Sequence, residues 1–423
     1  MALFSRKSAF NRVTSLASQR QVHTAFSWVH NNPQTIMDWQ ARLVAIPAPP
    51  FGEGPRGEAI VGLFADIGLA EIATDEIGNV TALIPAAGLP AESTGPVVVL
   101  SAHLDTVFPA ATTIVPVVTR DGGVLRLDAP GACDNGAGLA ALLAVAQALM
   151  HAQVELPVPL VVLANVGEEG EGDLRGVRQF YHSGAYAGRV AAHVVLDGAG
   201  ADAVVTQALG SRRFQVTVTG PGGHSFTDAG TPNPIAAVAA ALAEVSATPL
   251  PDEPRTTLNL GTIHGGTSVN SIPESVTASV DFRSTSAEEL LRLEVALHRA
   301  VEDAVERINA DASAFPRNSR GPLAFTITKI GDRPAGQLPA DSPLLEALRA
   351  VDRHLGLRTD LRLGSTDANI PIARGLPSLS MGAGGDGGGA HTVAEWYTDK
   401  DRELGLKRVL LLTLAIAAWA AEQ

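Results

Sequence analysis

The sequence predicts an α/β protein in which a central, mostly parallel sheet is interrupted by a smaller α+β domain. Three observations predict it. Runs of Val and Leu at Val97–Leu100, Leu160–Val166 and Val190–Leu196 each end at once in polar residues, as strands buried on both faces do. Stretches rich in Ala and Leu lie between and around them, Gly138–Met150 above all, and read as helices. Near residue 211 the texture changes to strict alternation of apolar and polar residues, the period of half-exposed antiparallel strands.

The chain has 423 residues, more than one hydrophobic core usually organises, so two domains are expected. With 46% hydrophobic and 18% charged residues it is not a disordered chain. A formal charge of −13 makes it a poor partner for nucleic acid or an anionic membrane. The single cysteine excludes an internal disulfide framework and points to a reducing, cytoplasmic setting. The longest apolar stretch, Val409–Ala421, is shorter than the ~20 residues that span a bilayer and reads as a buried terminal helix.

Taken in order, the chain opens with Arg6, Lys7, Arg12 and Arg20 set among serines, with no acid before Asp38. This reads either as a basic arm leading into a first helix near Val22–Ile46 or as a segment like an organelle transit peptide. The three buried strands and their helices follow. In the alternating region, Phe214–Thr219 and Val276–Arg283 are strands and Pro234–Val245 is a helix. A second helix starts at Ser286, where Glu289 completes a capping box, and runs towards Asn309. The polar stretch Asn318–Gly321 then ends the inserted domain. Ser342 and Pro343 start a helix that Gly356 closes, and Leu376–Met381 is another buried strand. The expected division is 1–210 and 320–423 for one domain, with 211–319 inserted.

Polar residues that follow buried strands carry the chemistry, because ligands of open α/β sheets bind beyond the carboxyl ends of strands. His103 and Asp105 follow the first strand on one side of the extended chain, so the carboxylate can orient the imidazole. Asp134 precedes the helix near Gly138 and reads as a ligand or a helix cap. Glu168 and Glu169 end the second strand, as a functional pair or a solvated turn. Asp197 ends the third, and His391 follows the glycine-rich turn after the late strand. Two histidines and three carboxylates without a required thiolate suit zinc or cobalt better than magnesium. One carboxylate can bridge two ions, and the Glu168–Glu169 pair leaves a second carboxylate free to move protons.

The series His103-x-Asp105, Asp134, Glu168-Glu169, Asp197 and His391 resembles the di-zinc metallopeptidase family that includes peptidase T, carboxypeptidase G, aminoacylase and carnosinase. The resemblance covers most of the chain and implies a zinc-peptidase-like catalytic domain with an inserted lid or dimerisation domain. It implies two zinc ions per subunit, with cobalt or manganese as substitutes. His103 and Asp197 would hold one ion, Glu169 and His391 the other, with Asp134 bridging. Asp105 would orient His103, Glu168 would be the general base, and the Asp134–Asn135 peptide would be cis. In the inserted domain, the turn Gly220–Ser225 resembles the family's glycine-histidine turn, which makes His224 an oxyanion donor. Asn270 and Arg283 resemble residues that hold the substrate's carboxylate or carbonyl. Arg283 also shares a polar strand face with Thr277, Ser279 and Asp281, where a surface salt bridge is the other reading. The resemblance further implies a homodimer in which His224 serves the partner's site.

Other features lead elsewhere. The stretch Gly382–Gly387 matches a dinucleotide fingerprint but no helix follows it. It reads as a turn whose amides, Gly385 among them, approach the substrate beside His391. Cys133 reads as a packed thiol and His193, deeper in its strand than Asp197, as a core histidine. His264-Gly-Gly lacks the nucleophile elbow that an esterase would need. His151, His298 and His354 fall on helices as surface residues. The expected activity is zinc-dependent exopeptidase cleavage of short peptides. An N-acyl amino acid deacylase with the same centre is the alternative, and a non-catalytic metal-binding protein is the alternative of another class.

Overall fold

The computed structural model describes residues 6–88, 94–313 and 320–423. They form two compact units, Met1–Ala208 with Gln337–Gln423, and Leu209–Gly336.

In the larger unit the three Val- and Leu-rich runs are strands Val97–His103, Leu160–Asn165 and Val190–Leu196, nearly all of whose residues are buried. Leu160–Asn165, Val97–His103, Val190–Leu196 and Ser378–Met381 lie side by side in that order, all parallel. Antiparallel neighbours flank them, Val80–Ile84 on one side and Ala203–Ala208 on the other. The expected mostly parallel sheet is therefore a parallel centre with mixed edges. Helix Gly136–Ala152 packs on it and is buried along almost its whole length. That length explains a helix with no polar face: it belongs to the middle of the core.

The N-terminal segment differs from expectation. Three helices, Arg6–Ala17, Arg20–Asn31 and Pro33–Val44, replace an arm and one long helix. Pro33 sets the break, since it has no N–H to continue the preceding helix but fits the first turn of a new one. Val22, Ala25 and Val29 form the buried stripe of the second helix. The sequence reading also missed a small antiparallel sheet of Val117–Asp121, Val124–Asp128, Trp396–Thr398 and Asp386–Gly388. Its first hairpin turns on Gly122 and Gly123, both at positive φ, which L residues disfavour in such two-residue turns. Among the described residues no helix is long and apolar enough to cross a membrane.

His193 is fully buried, as expected of a core histidine. Its ring lies 2.9 Å from the Tyr181 hydroxyl and 2.7 Å from Ser101 Oγ. Burial pushes its pKa down to about 3, so the ring stays neutral. His193→Ala is expected to lower stability by about 2–4 kcal/mol, through a cavity and two orphaned hydroxyls, while leaving metal content unchanged. Denaturant titration and elemental analysis of one preparation check this; loss of metal would make His193 part of the site.

The smaller unit is a four-stranded antiparallel sheet in the order Thr256–Gly265, Ser275–Ser284, Gly210–Thr219, Ala324–Arg333. Phe214, Val216, Val218, Val276, Ala278, Val280 and Phe282 form its buried face, covered by helices Pro234–Ser246 and Ala287–Ser313. Only half of the expected capping box forms. Ser286 Oγ accepts from Glu289 N at 3.3 Å, but the Glu289 carboxylate binds Arg292 at 2.7 Å instead of reaching back. Strand Ala324–Arg333 pairs with Gly210–Thr219, so this unit ends at Gly336 and not at 319. The polar stretch Asn318–Gly321 is thus a connection inside the unit; its first two residues lie outside the described ones.

Candidate metal centre

The strand ends of the larger unit converge on Asp134. His103, the last residue of its strand, places Nε2 3.2 Å from Asp134 Oδ1 and 3.8 Å from Asp197 Oδ1. His391 places Nε2 3.1 Å from Asp134 Oδ2 and 3.0 Å from Glu169 Oε1. Asp134 therefore turns one oxygen to each group. Ligand atoms of His103, Asp134 and Asp197, and of Asp134, Glu169 and His391, lie within 4.8 Å of one another, as do those of His103, Glu168 and Glu169.

Asp134 is free for this because Asn135 caps the helix: its Oδ1 accepts from Gly138 N at 3.1 Å and Gly198 N at 3.2 Å. The peptide joining Asp134 to Asn135 is cis. Asp105 acts differently from expectation. His103 Nδ1 donates to the main-chain carbonyl of Asp105 at 3.0 Å, whereas the carboxylate stands off at 3.6 Å. Both carboxylate oxygens instead accept main-chain N–H groups, from Glu168 at 3.0 Å and Glu169 at 2.8 Å. Asp105 thus holds His103 by its backbone and the acidic pair by its side chain.

The residues present suit a divalent cation. With Nδ1–H committed to a carbonyl, a neutral His103 ring would turn its Nε2 lone pair towards two carboxylates, and Asp134 Oδ1 is buried without a hydrogen-bond partner. Such an arrangement needs a cation or a proton between the donors. Burial pushes His103 down, but Asp105, Asp134 and Asp197 outweigh it and hold its pKa well above the usual value. Asp134 raises His391 to about 9. Burial, then Asp134, raises Glu169 to about 7. Burial opposes ionisation of Asp134, yet the facing His103 and His391 rings prevail and its carboxyl is held below the usual range.

A pH dependence follows. Metal must displace the protons that these histidines, and in part Glu169, hold at neutral pH, so uptake at pH 7 is expected to release about two to three protons. Affinity is expected to rise with pH through the range in which His391, raised to about 9, loses its proton. Calorimetric titration in buffers of different ionisation enthalpy measures the release; proton-free uptake at pH 7 would remove the histidines from the ligand set.

The sequence reading missed two buried acids here. Glu395 accepts three main-chain N–H groups from the Asp134 loop, and burial raises its pKa nonetheless. Asp367 accepts from Asn165 Nδ2 at 2.7 Å, and burial pushes its pKa up to about 7. An acid in apolar surroundings, as in Val393-Ala394-Glu395-Trp396, was the available signal for the first. Cys133 is a packed thiol raised to about 12 by burial. Gly385 is buried, and a side chain there would collide with the Tyr397 hydroxyl. Packing therefore requires a glycine at this position.

In the smaller unit, His224 and Asn270 lie in adjoining loops: His224 pairs with Ser271, and Ser225 N donates to Asn270 O at 3.0 Å. Arg283 is at the far end of strand Ser275–Ser284, roughly 25 Å of extended chain away. Its Nε donates to Asp281 at 2.8 Å. The three residues are not one cluster within this unit.

Two imidazoles and three carboxylates gathered beyond the strand ends of an α/β sheet form a candidate site for a divalent metal. The chain belongs to peptidase family M20/M25/M40, whose pattern matches residues 99–415. It is 30% identical over 243 residues to a probable carboxypeptidase of Aspergillus clavatus, covering 53% of this chain and 52% of that protein. The chain spans about half the length of the curated relatives it matches. The solved structure of aminopeptidase PepT from Bacillus cereus superposes with a TM-score of 0.71 at 20% identity, covering 92% of this chain and 99% of that one. A dinuclear metal binding peptidase of Bacillus subtilis gives 0.62 at 16% identity, covering 91% and 98%. At such identities these two structures establish the fold alone.

Proposed function

We propose that this protein is a dinuclear metallopeptidase that removes one residue or a short unit from the end of a small peptide. One observation carries the reading: Asp134 turns Oδ1 to His103 and Asp197 and Oδ2 to His391 and Glu169. Family membership and the names of its relatives, a carboxypeptidase, an aminopeptidase and a dinuclear peptidase, support it.

His103 and Asp197 would hold one ion, Glu169 and His391 the second, and Asp134 both; the mixed imidazole–carboxylate set suits zinc. When bound, such a pair lowers the pKa of a shared water and polarises a carbonyl. Glu168, its main chain fixed by Asp105, takes the water's proton and delivers it to the leaving amine. His224 donates to the developing oxyanion, and Asn270 and Arg283 contact the substrate; these three roles rest on the family resemblance.

We place the protein in the cytoplasm, as its one cysteine suits, and expect a homodimer through the smaller unit. Strand Thr256–Gly265 is an edge strand, exposed from Asn259 onward, which invites pairing. Light scattering should give twice the chain mass. Mixing His224→Ala with Glu168→Ala chains should recover activity if His224 serves the partner's site; exchange without recovery would refute that assignment.

The activity test is incubation of zinc-loaded protein with di- and tripeptides and N-acyl amino acids, with products identified by mass. Peptide cleavage from one end is expected. Turnover of N-acyl amino acids alone would make it a deacylase, and no turnover of either would remove the enzymatic reading.

A further inference from the structure

We infer that Glu395 is a positioning residue that sets the place of Asp134 in the metal centre. This rests on the reading of the site given above. Glu395 is 1% exposed. Its Oε2 accepts from Gly131 N at 2.8 Å, and its Oε1 accepts from Cys133 N and Asp134 N, each at 2.7 Å. Three charge-assisted bonds from main-chain donors within one four-residue stretch make the loop a cradle closed around one carboxylate.

The loop is tied from its other side as well. Gln40 Nε2 donates to Ala132 O at 2.6 Å, and Arg402 Nη2 holds Gln40 Oε1 at 2.8 Å. Of these anchors, only Glu395 binds Asp134's own peptide nitrogen. Its position is set in turn by the small sheet, where the next residue, Trp396, pairs with Asp128 and Ala129 N donates to Glu395 O at 3.1 Å.

Glu395 stands four residues after His391, in the segment between strands Asp386–Gly388 and Trp396–Thr398. One short segment therefore brings an imidazole to Asp134 Oδ2 at 3.1 Å and fixes Asp134's main chain at 2.7 Å. The distance between these two ligands is governed by a single stretch of backbone. Glutamine at 395 has nearly the same shape but one acceptor oxygen, so its NH2 must face at least one N–H of the cradle. The loop then shifts, and Asp134 with it.

The test is titration of metal-free protein with Co²⁺, followed by visible absorption, for wild type, Asp134→Ala, Glu395→Gln and Glu395→Asp. Glu395→Gln is expected to weaken Co²⁺ affinity about 10–100-fold, the usual scale for groups that orient ligands, and to change the absorption band. Glu395→Asp keeps the charge but reaches fewer donors, and should fall between glutamine and wild type. It also carries the test if the glutamine variant does not fold. A folded Glu395 variant with lower thermal stability but wild-type affinity and spectrum would show a merely structural role and overturn the inference. Wild-type protein that takes up no Co²⁺, or Asp134→Ala that takes it up normally, would overturn the metal-centre reading itself and the inference with it.

Discussion

Glu168→Gln should keep its full metal content and lose at least about a hundredfold in turnover, the ordinary contribution of a general base. The substitution is nearly isosteric. Glu168 is buried beside Glu169, and its main-chain N–H stays bound to Asp105 at 3.0 Å whatever the side chain. The amide therefore occupies the place of the carboxylate but has no lone pair basic enough to take a proton from water. Metal content and rate must come from one preparation. Near-normal turnover would remove Glu168 from the chemistry, and a lost metal would make it a ligand.

Asp134→Ala should strip metal from both sides of the centre and lower activity more than about a thousandfold, since several kcal/mol of charge stabilisation leaves with the ions. No other side chain faces both His103 and His391 at hydrogen-bonding range among the described contacts. His103→Ala and His391→Ala, which each touch one side, should reduce stoichiometry less. Elemental analysis after dialysis separates the three. An Asp134→Ala protein that retains one full equivalent of metal would mean that one side holds an ion unaided, and Asp134 would not be the bridge.

Much of this centre was legible because buried strands announce their own ends. Val97–Leu100 and, His193 apart, Val190–Leu196 are apolar, and His103, Asp105 and Asp197 stand together at or just beyond the ends of these strands. What escaped is carried by the main chain. Asp105 and Glu395 spend their carboxylates on peptide N–H groups, which no residue name reveals. Arg283 illustrates another limit. A period of two assigns Arg283 to a face but does not measure how far along the strand it stands from His224 and Asn270. The boundary at 319 failed through a rival cue. Ala324–Arg333 also alternates, but the polar stretch before it resembled a linker.

The interruption of the larger unit at Leu209–Gly336 has a consequence for synthesis. A chain emerging from the ribosome folds unit by unit, N-terminal parts first. Here the larger unit is begun first but finished last, since Ser378–Met381 and His391 follow the whole smaller unit in sequence. The nascent chain passes through a stage with a complete smaller unit and an acidic half-pocket of His103, Asp105, Asp134, Glu168, Glu169 and Asp197. At that stage the second imidazole and the Glu395 clasp are still missing. In the proposed dinuclear centre, the second ion would therefore wait on translation of His391, which a chain truncated before that residue lacks.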